Sequence, residues 1–266
     1  MKKYLQIFKI SWSDSLVYRL NFMMWRIRSI FWFITVYFFW FAVFTQNDQV
    51  ANYDRSLMFT YVIGSALLRS LVLGFRSSAI GAEIATGDLN NYLIKPVNYF
   101  TNWFTRDLAD KILNLVFFTL ELILIILIIK PPLVFPNNPL HLLFFILAVL
   151  LAILMYFFFS FLISAFTFWY PEHNGWPLRF FMLTIIGFLA GSGIPLDIFP
   201  QVIFNIFRFL PFSYFTFFPL QIFLGRLEPN QIIFTFSIMI IWSIIFYKLS
   251  RIVWKKGLKI YGAYGR

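Results

Sequence analysis

The sequence predicts an all-α integral membrane protein, a single transmembrane domain over residues 1–266. It has six spans, an interfacial helix at the N-terminus, a polar cytosolic elbow and short re-entrant helices before the last span. Three observations carry that expectation. Of 266 residues, 61% are hydrophobic, 38 are Phe and only 12% are charged, against about 25% charged in a soluble domain. The apolar residues gather into runs approaching the roughly 20 residues that cross the hydrocarbon core. Lys and Arg outnumber Asp and Glu by 22 to 11 but sit beside those runs. That pattern sets topology and does not build a soluble basic surface, so the expected partner is the lipid bilayer and not nucleic acid.

The first 25 residues repeat apolar side chains at helical steps, Leu5, Phe8, Trp12 and Leu16, with Lys2, Lys9 and Ser13 elsewhere on the turn. A helix so patterned lies along a membrane surface. Spans follow at Ser29 to Phe44, Ser56 to Phe75, Lys111 to Ile129, Leu140 to Trp169, Pro177 to Gly193 and Gln231 to Tyr247. The fourth run is longer than one crossing needs and is expected to tilt or continue past the membrane. Barrel strands would alternate apolar and polar residues, which these runs do not.

Basic residues orient the spans. Lys2, Lys3, Lys9, Arg19, Arg26 and Arg28 precede the first. Arg76, Lys95, Arg106 and Lys111 surround the second loop, Arg179 lies near the start of the fifth span, and Lys248, Arg251, Lys255, Lys256, Lys259 and Arg266 follow the last. With these inside, Arg55, Lys130, Arg208 and Arg226 fall outside, so both termini are expected in the cytosol and the chain in the cell membrane. No cleavable targeting peptide is evident. Cysteine is absent, which excludes disulfides and thiol chemistry. The two histidines, His141 and His173, are too few for a convincing metal cluster, so neither a metal nor a catalytic site is expected.

Between the second and third spans, residues 76–110 form a loop too apolar to be disordered and long enough to be functional. Within it, EIATGDLNNYLIKPVN (Glu83 to Asn98) reads as two short helices and a break. Ile80, Ile84 and Ala85 line one face, Gly87 ends the first helix, and Asp88 is positioned to cap a second carrying Leu89, Tyr92 and Leu93. Pro96 stops it. Near the other end, residues 191–227 are apolar but divided by Pro195, Pro200, Pro211 and Pro219. Such a stretch is too interrupted for one span and too hydrophobic for a free loop, as short re-entrant helices would be. An interfacial aromatic belt is the other account. Two charges fall inside spans, Arg69 and Glu121. The apolar residues of the second span gain roughly −3 to −6 kcal/mol on insertion while a central Arg costs about +3. Arg69 is therefore expected to face protein or water, paired with Glu121 or facing a substrate.

The elbow residues Glu83, Gly87, Asp88 and Leu89, followed by Lys95 and Pro96, resemble the E-x-x-x-G-[DE]-L…[KR]-P signature in the first cytosolic loop of type-2 ATP-binding-cassette exporter permeases. Gly191 to Gly225, with its Ile-Pro, Phe-Pro and Leu-Pro-Phe landmarks, is similar to the segment after the fifth span of that family. The tail WKKGLKIYGAYGR, Trp254 to Arg266, resembles the basic, Gly-containing end found in one branch of it. The resemblance implies that the chain is half of a membrane pore, working with an identical or paralogous second permease on a separate cytosolic ATPase. The elbow would carry the coupling helix that docks on the ATPase, with Glu83, Gly87, Asp88 and Leu89 at the contact and Lys95 and Pro96 shaping its exit. Pro195, Pro200 and Pro211 would belong to an outer gate. No G-x-x-x-x-G-K-[ST] phosphate loop occurs in the chain, so ATP and Mg are expected on the partner and no cofactor here. A secondary transporter or channel needs more ionisable residues along the spans than Arg69 and Glu121. A membrane enzyme needs convergent catalytic groups, for which Glu172 and His173 are the nearest cluster.

Overall fold

The computed structural model describes residues 2–17, 19–74, 76, 78–136 and 138–262 and is 80% helical. Phe75, where the second apolar run was expected to end, and the last four residues of the basic tail lie outside the described residues. Helix α1 (Lys2–Val17) leads into α2 (Arg19–Gln46). A two-stranded hairpin, β1 (Gln49–Val50) and β2 (Tyr53–Asp54), then returns the chain into α3 (Arg55–Leu71). Next come α4 (Ser78–Thr86), α5 (Asn90–Leu93), α6 (Tyr99–Ile129), α7 (Pro139–Ala165) and α8 (Trp176–Leu189). Two seven-residue helices, α9 (Gln201–Phe207) and α10 (Phe217–Phe223), precede the terminal α11 (Pro229–Ile260).

Local chemistry sets these boundaries. Asp54, Asn98 and Asn138 cap α3, α6 and α7 by accepting from the amides of Leu57, Thr101 and Leu140 at 2.7, 3.1 and 2.9 Å, satisfying donors that a helix start leaves free. Glu228 and Gln231 form a capping box at the start of α11. Lys130, left-handed at φ 49°, closes α6 ahead of Pro131 and Pro132.

Four helices are long and apolar enough to cross a membrane: α2, α6, α7 with its following 3-10 turn to Phe168, and α11. The second and fifth expected spans are shorter. Helix α3 has 17 residues and α8 has 14, about 25 and 21 Å at 1.5 Å per residue, below the ~30 Å of hydrocarbon. In α8 the cause is visible: Gly191 and Gly193, inside the expected run, take φ of 74° and 86° and end the helix at Leu189. By contrast, α2 and α6 start ten and twelve residues earlier than their apolar runs, at Arg19 and Tyr99. Residues 99–110 of the expected loop are therefore the opening turns of a long helix.

Helix α3 is the centre of the bundle, with Met58, Phe59, Tyr61, Val62 and Leu68 fully buried. Helices α7 and α11 pack along each other, and α10 inserts from the hairpin end, where Gly64 of α3 lies close against the Leu220 side chain. At the opposite end, called the elbow end below, a second cluster joins Ile80 and Ile84 of α4, Leu89, Phe100 and Trp103 of α6, Phe157 and Phe161 of α7, and Trp254 of α11. Helix α1 turns Ser11 and Ser15 toward α6 and leaves Leu5 and Leu16 outward. Two serines one turn apart allow close approach to α6, while Phe8 and Trp12 of the apolar stripe are half-buried.

Candidate functional site

The elbow is a tight reversal at Gly87. Its φ of 87° is a conformation that glycine adopts without penalty, and around it the Leu89 amide reaches back to the Glu83 carbonyl at 2.9 Å. Two expectations change here. Asp88 does not cap α5; its carboxylate accepts the Thr86 hydroxyl at 2.7 Å, and α5 begins without a side-chain cap. Leu89 is fully buried in the elbow cluster, because the turn folds it back under α4, so it holds the elbow from inside and offers no outward contact. The outward surface is a short tip: Asp88, Asn90, Asn91, Leu93 at 48% and Ile94 at 83% exposure, Lys95 and Pro96. Lys3 of α1 donates to the Pro96 carbonyl at 3.0 Å, tying the N-terminal helix to that tip.

Glu83 faces inward. Its carboxylate accepts from the Tyr99 hydroxyl at 2.7 Å and from Trp103 Nε1 at 3.3 Å, and Arg106 lies 3.7 Å away. The Arg106 guanidinium donates to the Tyr92 hydroxyl at 2.9 Å and sits over the rings of Tyr92 and Trp103. Burial pushes the Glu83 carboxyl above the ordinary glutamate range, against the opposing pull of the Tyr99 hydroxyl and Arg106. Tyr99 stacks on Trp254 with ring centroids 4.6 Å apart. One carboxylate thus fastens α4 to α6, and through Tyr99 and Trp254 to α11.

Above the elbow runs a belt of paired charges. Arg26 of α2 grips Glu121 of α6 through two nitrogens, Nε to Oε1 at 2.8 Å and Nη2 to Oε2, and also reaches Ser70 and Asn114. The expected Arg69–Glu121 pair is therefore not made. Because α2 begins at Arg19, Arg26 lies within the helix and takes Glu121 bidentately, while Arg69 rests over the Trp32 ring at 4.8 Å. Asp107 and Lys111, one turn apart on α6, are 3.4 Å apart and almost completely buried. Lys111 also donates to the carbonyls of Leu71 and Val72 at 3.0 Å each, closing the end of α3. Arg179 of α8 is buried and donates to Ser164 and Ser160 of α7 at 2.6 and 2.8 Å. Sequence reasoning counted Arg26, Lys111 and Arg179 only as topology signals. The four-residue spacing of Asp107 and Lys111 was a readable sign of pairing, whereas nothing local marked Arg26 as the partner of Glu121.

Glu172 and His173 are exposed on a turn in which His173 and Asn174 are left-handed, at φ 49° and 58°. At the hairpin end, the three prolines expected at the gate each open an element, while Pro219 falls in the first turn of α10. Pro195 precedes the 3-10 turn Leu196–Ile198, Pro200 precedes α9, and Pro211 precedes the 3-10 turn Phe212–Tyr214. Pro195 and Pro211 are buried and Pro200 exposed. Asp197 is the hub: Tyr53 donates to it at 2.9 Å, Arg226 lies 3.1 Å away and stacks on the Tyr53 ring, and Gln221 donates to the Tyr53 hydroxyl at 2.6 Å.

Long apolar helices, short helices packed at one end and a braced polar elbow at the other define a multi-pass membrane protein. The sequence matches the family model described as ABC-2 family transporter protein over residues 30–265, nearly its whole length. The chain belongs to that family and is a membrane permease subunit of an ABC transporter. Comparison with curated proteins finds no significant match.

Proposed function

We propose that this chain forms half of the pathway of an ATP-driven exporter, paired with an identical or paralogous permease and powered by a separate ATPase that holds ATP and Mg. The observation that carries this reading is the construction of the elbow. Its tip is exposed and partly apolar, yet its root is clamped by Glu83, Leu89 and Trp103 to helices that run through the bundle. A load on the tip would reach α6, α7 and α11 together, and Lys3 would carry it to α1. In this reading Asp88, Leu93, Ile94, Lys95 and Pro96 meet the ATPase, while Glu83, Gly87 and Leu89 hold the elbow rigid. Both termini face the cytosol of the cell membrane. Helices α3 and α8 complete six crossings, their short lengths made up by the turns that continue them. The segment holding Pro195, Pro200 and Pro211 re-enters the outer leaflet as a gate.

The test is co-purification and vesicle transport. The tagged chain is expected to bring down an ATPase, and export is expected to need ATP. Ile94→Asp should leave thermal stability within about 0.5 kcal/mol, as for an exposed surface site, while ATP hydrolysis loses its link to export. Transport indifferent to ATP would favour a channel or secondary transporter, and normal coupling in that variant would return the tip to an ordinary loop.

A further inference from the structure

Arg69 of α3 is a half-buried cation. Among the described residues it forms no hydrogen bond or ion pair, and its contact is the face of Trp32 at 4.8 Å. It lines a cleft with Ser29, Ser70, Phe118 and Glu121, but the carboxylate there is already taken by both Arg26 nitrogens. On its other side Gly187 of α8 leaves the guanidinium space, its absent Cβ falling 3.4 Å from Arg69 Nη1. A guanidinium held by an aromatic face and left without a counter-ion in a membrane protein is costly, and its planar fork suits a carboxylate or phosphate. The cleft volume is about 20 Å³, room for one oxygen-sized group, so only the tip of a headgroup would enter. The rest of the cleft lining is largely apolar, with Ile30, Phe33, Ala66 and Ile125, and on the two helices concerned Phe31 of α2 and Phe180, Phe181 and Phe188 of α8 are exposed.

We propose that Arg69 is a substrate-contacting residue that receives an anionic oxygen of an amphipathic molecule, whose apolar part lies along the open faces of α2 and α8. This rests on the reading of the chain as a transport subunit and deepens it by naming the cargo class.

The test uses the full-length chain in nanodiscs of zwitterionic phosphatidylcholine, with dodecyl phosphate, dodecanol and inorganic phosphate as probes. Dodecyl phosphate is expected to bind at least about tenfold more tightly than dodecanol, the scale of one charge-assisted hydrogen bond, and inorganic phosphate is expected not to compete. Arg69→Gln should abolish that preference, Arg69→Lys should keep part of it, and Arg208→Gln at the hairpin end should keep all. Because Arg69 has no partner to strand, Arg69→Gln and Arg69→Met should fold with unchanged or higher thermal stability. Absence of a charge preference in the wild type, its survival in Arg69→Gln, competition by inorganic phosphate, or unfolding of both charge-removing variants would each overturn the proposal. In the assembled transporter, dodecyl phosphate should accelerate ATP hydrolysis; binding without acceleration would mark a resident lipid and overturn the cargo assignment. The binding arms contain no ATP, so their failure leaves the ATP-coupling reading standing, and an uncoupled ATPase leaves the binding result standing.

Discussion

The two ends of the bundle are fastened in different ways. At the elbow end, charge is distributed: Glu83 with Arg106, Asp107 with Lys111 and Arg26 with Glu121 each tie one helix to another or seal a helix end. At the hairpin end ionic contact gathers on a single carboxylate, Asp197, which takes Tyr53 and Arg226, and the rest is aromatic packing, as in Tyr214 stacked on Phe218 at 4.5 Å, with buried hydrogen bonds from Tyr61 and Trp40 to the carbonyls of Gly191 and Gly193. Distributed pairs brace long helices so that they move together. Over the short helices, ionic contact among the described residues rests on one carboxylate. The difference fits the roles proposed above, an elbow that transmits force and an opposite end that opens.

The most damaging way to break the comparison is at Asp107. Its side chain and that of Lys111 are 4% and 3% exposed, so Asp107→Ala strands a buried ammonium and is expected to cost about 3–5 kcal/mol. A thermal melt in detergent reads that loss, and Asp107→Leu combined with Lys111→Met should recover part of it. If the single variant melts like the wild type, the charge belt does not brace the helices.

Next comes Asp197→Ala. Its carboxylate and the Arg226 side chain are 21% and 19% exposed, so solvent screens part of the interaction and about 2–3 kcal/mol is expected. Hydrogen exchange should rise in Gln49 to Asp54 and Phe217 to Arg226 but not in α4 or α5. A rise at both ends would merge the two regions into one cooperative unit.

The smallest effect is at Glu83. Burial already penalises the ionised carboxylate, offsetting part of its hydrogen bonding, so Glu83→Ala is expected to cost only about 1–2 kcal/mol. The sign with pH follows from the raised folded value. The folded protein keeps a proton that the unfolded chain has released, so stability falls as pH rises from the ordinary glutamate value through the raised one, and is level above it. Glu83→Gln should lack that fall and match or exceed the wild type at neutral pH. A melting temperature independent of pH in that window would mean that Glu83 is not desolvated as described.

Much was legible before any tertiary contact was considered. Apolar runs announce helices whatever they pack against, because a backbone in hydrocarbon must satisfy its own hydrogen bonds, and α2, α6, α7 and α11 sit on the runs that announced them. Gly87 and the prolines at 195, 200 and 211 mark breaks because their limits are those of the residue itself. Helix lengths were less legible: hydropathy could see neither the polar turns that open α6 nor the left-handed Gly191 and Gly193 that cut α8 short. Partners on different helices were not legible. Which carboxylate meets which guanidinium depends on how helices about a hundred residues apart in sequence are rotated against each other, as with Arg26 and Glu121. No local propensity records that rotation. For the same reason, only the tertiary structure turned Glu83 and Leu89 inward, exposed Ile94 and Lys95 in their place, and left Arg69 without a counter-ion.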